Sequence, residues 1–171
     1  MPRVPLDLNT SEDRQKVKGQ WRLAEGYNPG EPNEGLTAQF LAVPARLADF
    51  DDSSWRVCEN VRESLSVGFT FAWYRIAVEF PETVNGVDVK GSRVYFETNI
   101  DNYGEIWVDG AINRSTGVIV GINASHRVEI NESASPGDKH VIAVLVLNGP
   151  LAEPRGGIWM RYAHLSFETA G

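Results

Sequence analysis

From residue 69 onward, apolar and polar positions alternate with a period of two. The run from Phe69 to Phe80 (FTFAWYRIAVEF) keeps that alternation until Pro81. Residues 93–99, 105–109, 118–122, 127–130, 140–147 and 158–167 repeat it, each separated from the next by Gly, Asn, Asp or Pro. Short strands at this spacing, with few helical patterns between them, predict an all-β chain: an antiparallel jelly-roll β-sandwich. The first 48 residues are less regular. Thr10 or Ser11 can cap one short helix over 11–18, with Glu12 and Asp13 where the helix N-terminus favours acids. A loop, EGYNPGEPNEG, follows at 25–35, and DFDDSSW at 49–55 reads as a turn that delivers Trp55 inward. The expected organisation is one sandwich domain over 1–171, with 1–48 a less regular extension packed on it. A chain of 171 residues can bury a core of its own.

Strand parity sorts the chemistry, because residues i and i+2 share a face. In 73–80, Tyr74, Ile76, Val78 and Phe80 are core-facing, leaving Trp73, Arg75 and Glu79 opposite. In 93–98, Arg93, Tyr95 and Glu97 oppose Val94, Phe96 and Thr98. In 104–109, Ile106 and Val108 oppose Glu105, Trp107 and Asp109. In 158–165, Trp159 and Arg161 share a parity with Ala163 and Leu165, against Ile158, Met160, Tyr162 and His164. Trp73, Arg75, Glu97, Glu105, Trp107, Trp159 and Arg161 are therefore the candidate ligand-binding set, if their strands are neighbours. Sugars take planar hydrogen-bonding groups at their hydroxyls and an aromatic plate against the C–H face of the ring. Glu97 and Glu105 are also the candidate acid and base of a glycosidase-like pair. The competing reading is structural: cross-strand Arg–Glu pairs and packed indoles are common in sheets. Asp101-Asn102 and Asp109-Gly110 read as turns.

Charge narrows the partners. A net charge of −7 and a pI near 5.0 leave no basic face for nucleic acid. The longest apolar runs, such as VIAVLVL at 141–147, are too short to span a bilayer, and no basic amphipathic helix suggests membrane attachment. Cys58 is the single cysteine, so neither an intrachain disulfide nor a cysteine metal cluster forms. With no signal peptide visible in MPRVPLDLNTSEDRQ, the expected location is the cytoplasm. The N-x-S sequons at Asn9, Asn113, Asn123 and Asn131 are read as chance matches. His126, His140 and His164 lack metal-ligand spacing, and no nucleophile elbow or phosphate loop occurs. No cofactor is expected; a structural calcium at Asp101 is the one metal considered, and a single carboxylate does not define a site.

Several stretches taken together resemble a known domain: DFDDSSW at 49–55, FAWYRI at 71–76, VYFETNIDNYGEIWVDG at 94–110, NGP at 148–150 and GIWMRYA at 157–163. It is the galactose-binding-like β-sandwich at the N-terminus of family 2 glycoside hydrolases, and more closely the related sandwich before the propeller in some gluconolactonase-like (SMP-30-type) proteins. The resemblance covers most of the chain and is weakest over 1–48. It implies an eight- or nine-stranded jelly roll without catalytic residues of its own. No barrel or propeller follows in this sequence, so their catalysis is not carried over. The matching positions are Trp73, Tyr74, Arg75, Glu97, Asp101, Tyr103, Glu105, Trp107, Asn148, Trp159 and Arg161, many of which look structural in the relatives.

Three functions follow as expectations. The first is a non-catalytic module binding a small carbohydrate or polyol. The second is a small enzyme (lyase, isomerase or hydrolase) on a sugar-derived, lactone or cyclic substrate, using Glu97 and Glu105. The third is an assembly or accessory subunit of a carbohydrate-active enzyme, with a homodimer or a partner enzyme across an exposed sheet face.

Overall fold

The structure, a computed structural model, describes residues 2–25, 44–63, 70–148 and 157–169. Strand β1 (Arg3–Asp7) leads into helix α1 (Ser11–Lys16), then β2 (Arg22–Glu25), a single 3₁₀ turn (Pro44–Arg46) and the short β3 (Arg56–Val57). Thr10 caps α1 as its sequence predicts, accepting the Asp13 N–H at 3.3 Å. The long strands follow: β4 (Thr70–Glu79), β7 (Arg93–Val108), β8 (Val118–Asn131), β9 (Lys139–Asn148) and β10 (Ala163–Glu168). Between β4 and β7 sits a small hairpin, β5 (Thr83–Val84) and β6 (Val87–Asp88), turning on Asn85-Gly86 with both residues at positive φ. The all-β jelly-roll reading holds.

Every described strand except the β5–β6 hairpin belongs to one continuous antiparallel sheet, ordered β1-β10-β7-β9-β4-β2-β3, with β8 on the other edge of β7. The sheet passes from one layer to the other through β7. Its first half, 93–98, pairs with β10, and its second half, 103–108, pairs with β9, while β8 follows nearly its full length. One strand therefore serves both layers of the sandwich. Here the sequence reading needs correcting: 100–103 is not a hairpin turn but the middle of β7, where the strand passes from one layer to the other. Asn102 supplies the left-handed backbone (φ 70°) at that point. Gly104 supplies close approach, since a Cβ there would lie 2.9 Å from Ile100 Cδ1 and 3.0 Å from the Leu145 carbonyl. Opposite, Ile122 and Asn123 stand against Asp101 alone, a β-bulge that fuses the expected strands 118–122 and 127–130 into one. The Asp109-Gly110 turn forms as read, with mutual backbone bonds of 2.8 and 2.9 Å between Val108 and Ala111.

The main core lies between the layers, with Tyr74, Ile76, Val78 and Phe80 facing Phe96, Leu165 and Phe167, all at most 2% exposed. A second, smaller core lies outside it. Trp73, Trp107, Phe71 and Leu145, on the outer face of the β4–β9–β7 layer, are roofed by Ala45, Phe50 and Trp55. Burying an indole of this size stabilises by roughly 4–6 kcal/mol before the entropy of ordering is subtracted. Segment 44–55 thus acts as a strap, and Trp55 points inward as its sequence suggests.

Candidate functional site

The predicted ligand-facing residues separate into three places. Trp73, Arg75, Glu105 and Trp107 do share one sheet face, and the strap covers it. Arg75 is 2% exposed and clamps the strap from beneath. Its Nε donates to Asp52 Oδ2 at 2.8 Å, Nη1 to the carbonyls of Ala45 and Leu47, and Nη2 to Phe50 O at 3.2 Å. A backbone that turns through 44–52 leaves carbonyls without partners, and the fork of one buried guanidinium gathers them. Glu105, also 2% exposed, accepts from Tyr103 Oη (2.7 Å), Trp107 Nε1 (2.9 Å) and Arg114 Nη1 (3.1 Å). Burial first, and then the bond to Glu105, push the Tyr103 phenol up to about 12. Arg46 and Arg114 lie over the Trp107 ring at 5.3 and 5.6 Å. These groups are committed to one another.

Glu97 lies on the other layer, on the outer face of β7 where it runs beside β10 and β8. The register sets His164 and Arg127 directly across from it on either side. Arg127 Nε pairs with Glu97 Oε1 at 2.9 Å, and Arg3 Nη2 pairs with Oε2 from the edge strand β1. Ser166 Oγ donates to the same Oε2 at 3.1 Å. Around this carboxylate opens a cleft of about 430 Å³, lined besides Glu97 and the two arginines by Ser125, His126, Tyr162 and His164. Tyr162 and His164 stack on each other with centroids 4.9 Å apart and planes 23° apart, forming an aromatic wall. The cleft therefore combines a planar wall with planar hydrogen-bonding groups, and of the residues expected to bind ligand it holds Glu97.

Trp159 and Arg161 occupy a third position, at the end of the sandwich. Arg161 packs its guanidinium 5.4 Å from the Trp159 ring centroid, donates its backbone N–H to Asn99 O at 3.0 Å and lies 3.7 Å from Asp101. Asp101, the residue considered for calcium, also accepts Asn102 Nδ2 at 3.0 Å. Among the described residues, no group of three or more His, Cys, Asp or Glu is placed to hold a metal ion. Glu97 and Glu105 are not brought together either. They sit on outer faces of different layers and share no neighbour, whereas a glycosidase pair must flank one bond at about 5–10 Å.

A second groove, of about 380 Å³, lies past the end of the strap between Ala77, Val141 and Ala48. On its rim His140 Nδ1 sits 2.7 Å from Asp109 Oδ2, while His140 Nε2 faces Asn131 Nδ2 at 3.2 Å. Asn131 Oδ1 accepts the Ser133 N–H, so its amide presents N–H to the ring and fixes His140 as the Nδ1–H tautomer. Both ring nitrogens are thereby engaged in holding the β7–β9 end of the sandwich.

Sequence reasoning missed Arg3, Ser125, Arg127, Tyr162 and His164 for a definite reason. Parity was carried through 158–165 as one strand, but β10 begins only at Ala163. The irregular 160–162 resets the alternation, so Ile158, Met160, Ala163 and Leu165 are all core. The polar alternation Ser125, Arg127, Glu129 was readable in the sequence; its neighbourhood to Glu97 depended on the register.

Comparison with known proteins supports the architecture. No protein-family model and no curated protein matches the chain. Among solved structures, a Bacteroides uniformis β-glucuronidase is similar with a TM-score of 0.64 at 18% identity, over 97% of this chain and 18% of that one. A glycosyl hydrolase family 2 member from Bacteroides cellulosilyticus gives 0.62 at 17% identity, over 96% and 20%. A Faecalibacterium prausnitzii β-glucuronidase gives 0.63 at 14% identity, over 97% and 31%. The chain has the galactose-binding-like β-sandwich fold found in these enzymes and spans less than a third of their length. Among the described residues, no helix is long and apolar enough to cross a membrane.

Proposed function

We propose that this domain is a carbohydrate- or small-polyol-binding module, non-catalytic by itself, and that the Glu97 cleft is its binding surface. One observation carries the reading: the cleft pairs the stacked Tyr162–His164 wall with the guanidinium groups of Arg3 and Arg127 and the Ser125 hydroxyl. That is the combination a sugar ring takes, apolar on one face and hydroxylated at its edge. The fold likeness to family 2 glycoside hydrolases agrees with it. Titrating the domain with a panel of monosaccharides and oligosaccharides, followed by amide chemical shifts, tests the reading. Shifts clustered on β7, β8 and β10 at millimolar or lower Kd support it. A panel with no response, or responses that survive Tyr162→Ala and His164→Ala, overturns it.

A second reading, that the domain is an accessory part of a larger carbohydrate-active enzyme, is favoured by a different observation. The similar solved chains are about three to six times as long as the part this chain matches. Co-purification with a separately encoded catalytic partner, or a raised activity of that partner on adding this domain, would separate the two.

A further inference from the structure

Building on that binding reading, we infer that the ligand of the Glu97 cleft is an anionic sugar, one carrying a carboxylate. The inference comes from a count of hydrogen-bonding groups that the protein has already used and those it has left over.

The carboxylate acceptors already face protein donors. Glu97 Oε1 faces Arg127 Nε, and Oε2 takes Arg3 Nη2 and Ser166 Oγ. The other carboxylates on this face are engaged as well: Asp7 by Arg62 at 2.9 Å, Glu129 by Tyr95 Oη at 3.2 Å, and Glu168 by Arg127 Nη2 at 2.6 Å.

The donors are not all spent. Arg3 spends Nε on Ser166 Oγ (3.1 Å) and Nη2 on Glu97; Arg127 spends Nε and Nη2 on Glu97 and Glu168. Each guanidinium keeps its Nη1 without a protein partner among the described residues, and both side chains are substantially exposed, at 46% and 40%. Ser125 Oγ accepts from Asn99 Nδ2 at 2.9 Å, so its own hydrogen is free to point outward. Tyr162 Oη and the His164 ring have no hydrogen-bond partner among the described residues.

A neutral polyol brings hydroxyl hydrogens that need acceptors, and the carboxylates of this cleft already face protein donors, leaving mainly the Tyr162 hydroxyl and the His164 ring to accept. A carboxylate brings acceptors only, in a plane that matches the fork of a guanidinium. The two arginines come from opposite sides of Glu97, Arg3 from β1 and Arg127 from β8, and both line the same cleft, each with an unspent Nη1. The Tyr162–His164 wall then meets the ring that carries the carboxylate. A volume of about 430 Å³ suits a ligand of one or two sugar units.

The test is isothermal titration of the intact chain with D-glucuronate, D-glucose, acetate and inorganic sulfate, in the wild type and in Arg3→Gln and Arg127→Gln. Glucuronate is expected to bind about tenfold or more tightly than glucose, the effect of a charge-assisted bond. Each substitution should lower the glucuronate affinity by a larger factor than the glucose affinity, narrowing the gap between the two sugars. Arg3 sits on an edge strand, so its replacement tests the site even where Arg127→Gln disturbs the fold. Equal affinity for glucose and glucuronate, or a preference untouched by Arg3→Gln, overturns the inference while the binding reading stands. Acetate or sulfate binding as tightly as glucuronate also overturns it, by making the cleft a general anion site. Silence of both sugars overturns the inference together with the reading on which it rests.

Discussion

Two outer faces of this sandwich carry the same kinds of residue and have opposite fates. On the β4–β9–β7 face, two indoles and an arginine hold the strap at 44–55, and a buried glutamate is spent on Tyr103, Trp107 and Arg114 beside them. On the β7–β10–β8 face, a glutamate, two arginines and an aromatic pair lie open around a cleft. Residue type alone does not separate a clamp from a site. What separates them is whether a second layer of chain arrives, and whether donors remain after the protein's own bonds are counted. Arg75 makes four bonds and is buried at 2% exposure, out of a ligand's reach; Arg3 and Arg127 each keep an exposed edge.

The largest effect expected from this contrast is at Arg75. Replacing it with Met leaves the Asp52 carboxylate and three strap carbonyls without their donor, and should cost about 3–5 kcal/mol. Urea denaturation followed by tryptophan fluorescence measures it, and a loss below about 1 kcal/mol would break the picture of a clamp.

Next comes Glu105→Gln, which keeps the shape but removes the charge shared by Tyr103, Trp107 and Arg114; a loss of about 1–3 kcal/mol is expected. It should also bring the Tyr103 titration down from about 12 toward the ordinary phenol value of 10.0, though burial keeps it above. Because the folded-state value is raised, the stability Tyr103 contributes is complete below about pH 10 and is lost as pH rises toward 12. Absorbance at the phenolate band, compared between wild type and Glu105→Gln, reads the shift.

A smaller effect belongs to Glu97→Gln. Its partners are half exposed, so the loss should be about 1 kcal/mol or less in denaturant titration, while sugar binding changes because Arg3 and Arg127 are released. Smallest of all, Tyr162→Ala should leave stability within about 1 kcal/mol and abolish sugar binding. A stability loss as large as that of Arg75→Met would make the open face another structural layer and erase the distinction between the two.

Much of the fold was legible because alternation is a local property. Tyr74, Ile76, Val78 and Phe80 fall in the core as their parity demands, and Asp109-Gly110 turns where it should. The longer strands were not legible. Asp101-Asn102 carries the chemistry of a hairpin turn, yet the same tolerance for left-handed backbone serves a bend inside β7. Asn85-Gly86 carries as plain a turn signal, and there it does form a hairpin. Of the candidate site, parity placed Trp73, Arg75, Glu105 and Trp107 together correctly; that residues thirty positions upstream would roof them was not in any periodic signal. Glu97 was assigned to the same face because strand neighbours were unknown, and register is decided by long-range pairing that no local pattern states.

The pairing of β1 with β10 joins Arg3 to Glu168 and Asp7 to His164, so that the first described strand of the domain is completed by the last described one. β1 finds its partner only after nearly the whole domain has been made, and the first half of β7, paired with β8 on one edge, takes that same strand on its other edge. Such a topology folds late and as a unit rather than piece by piece. It also assembles the cleft late: Arg3, Glu97 and His164 come from widely separated strands and meet only in the folded sandwich, so binding at that surface reports that the domain has folded as a whole.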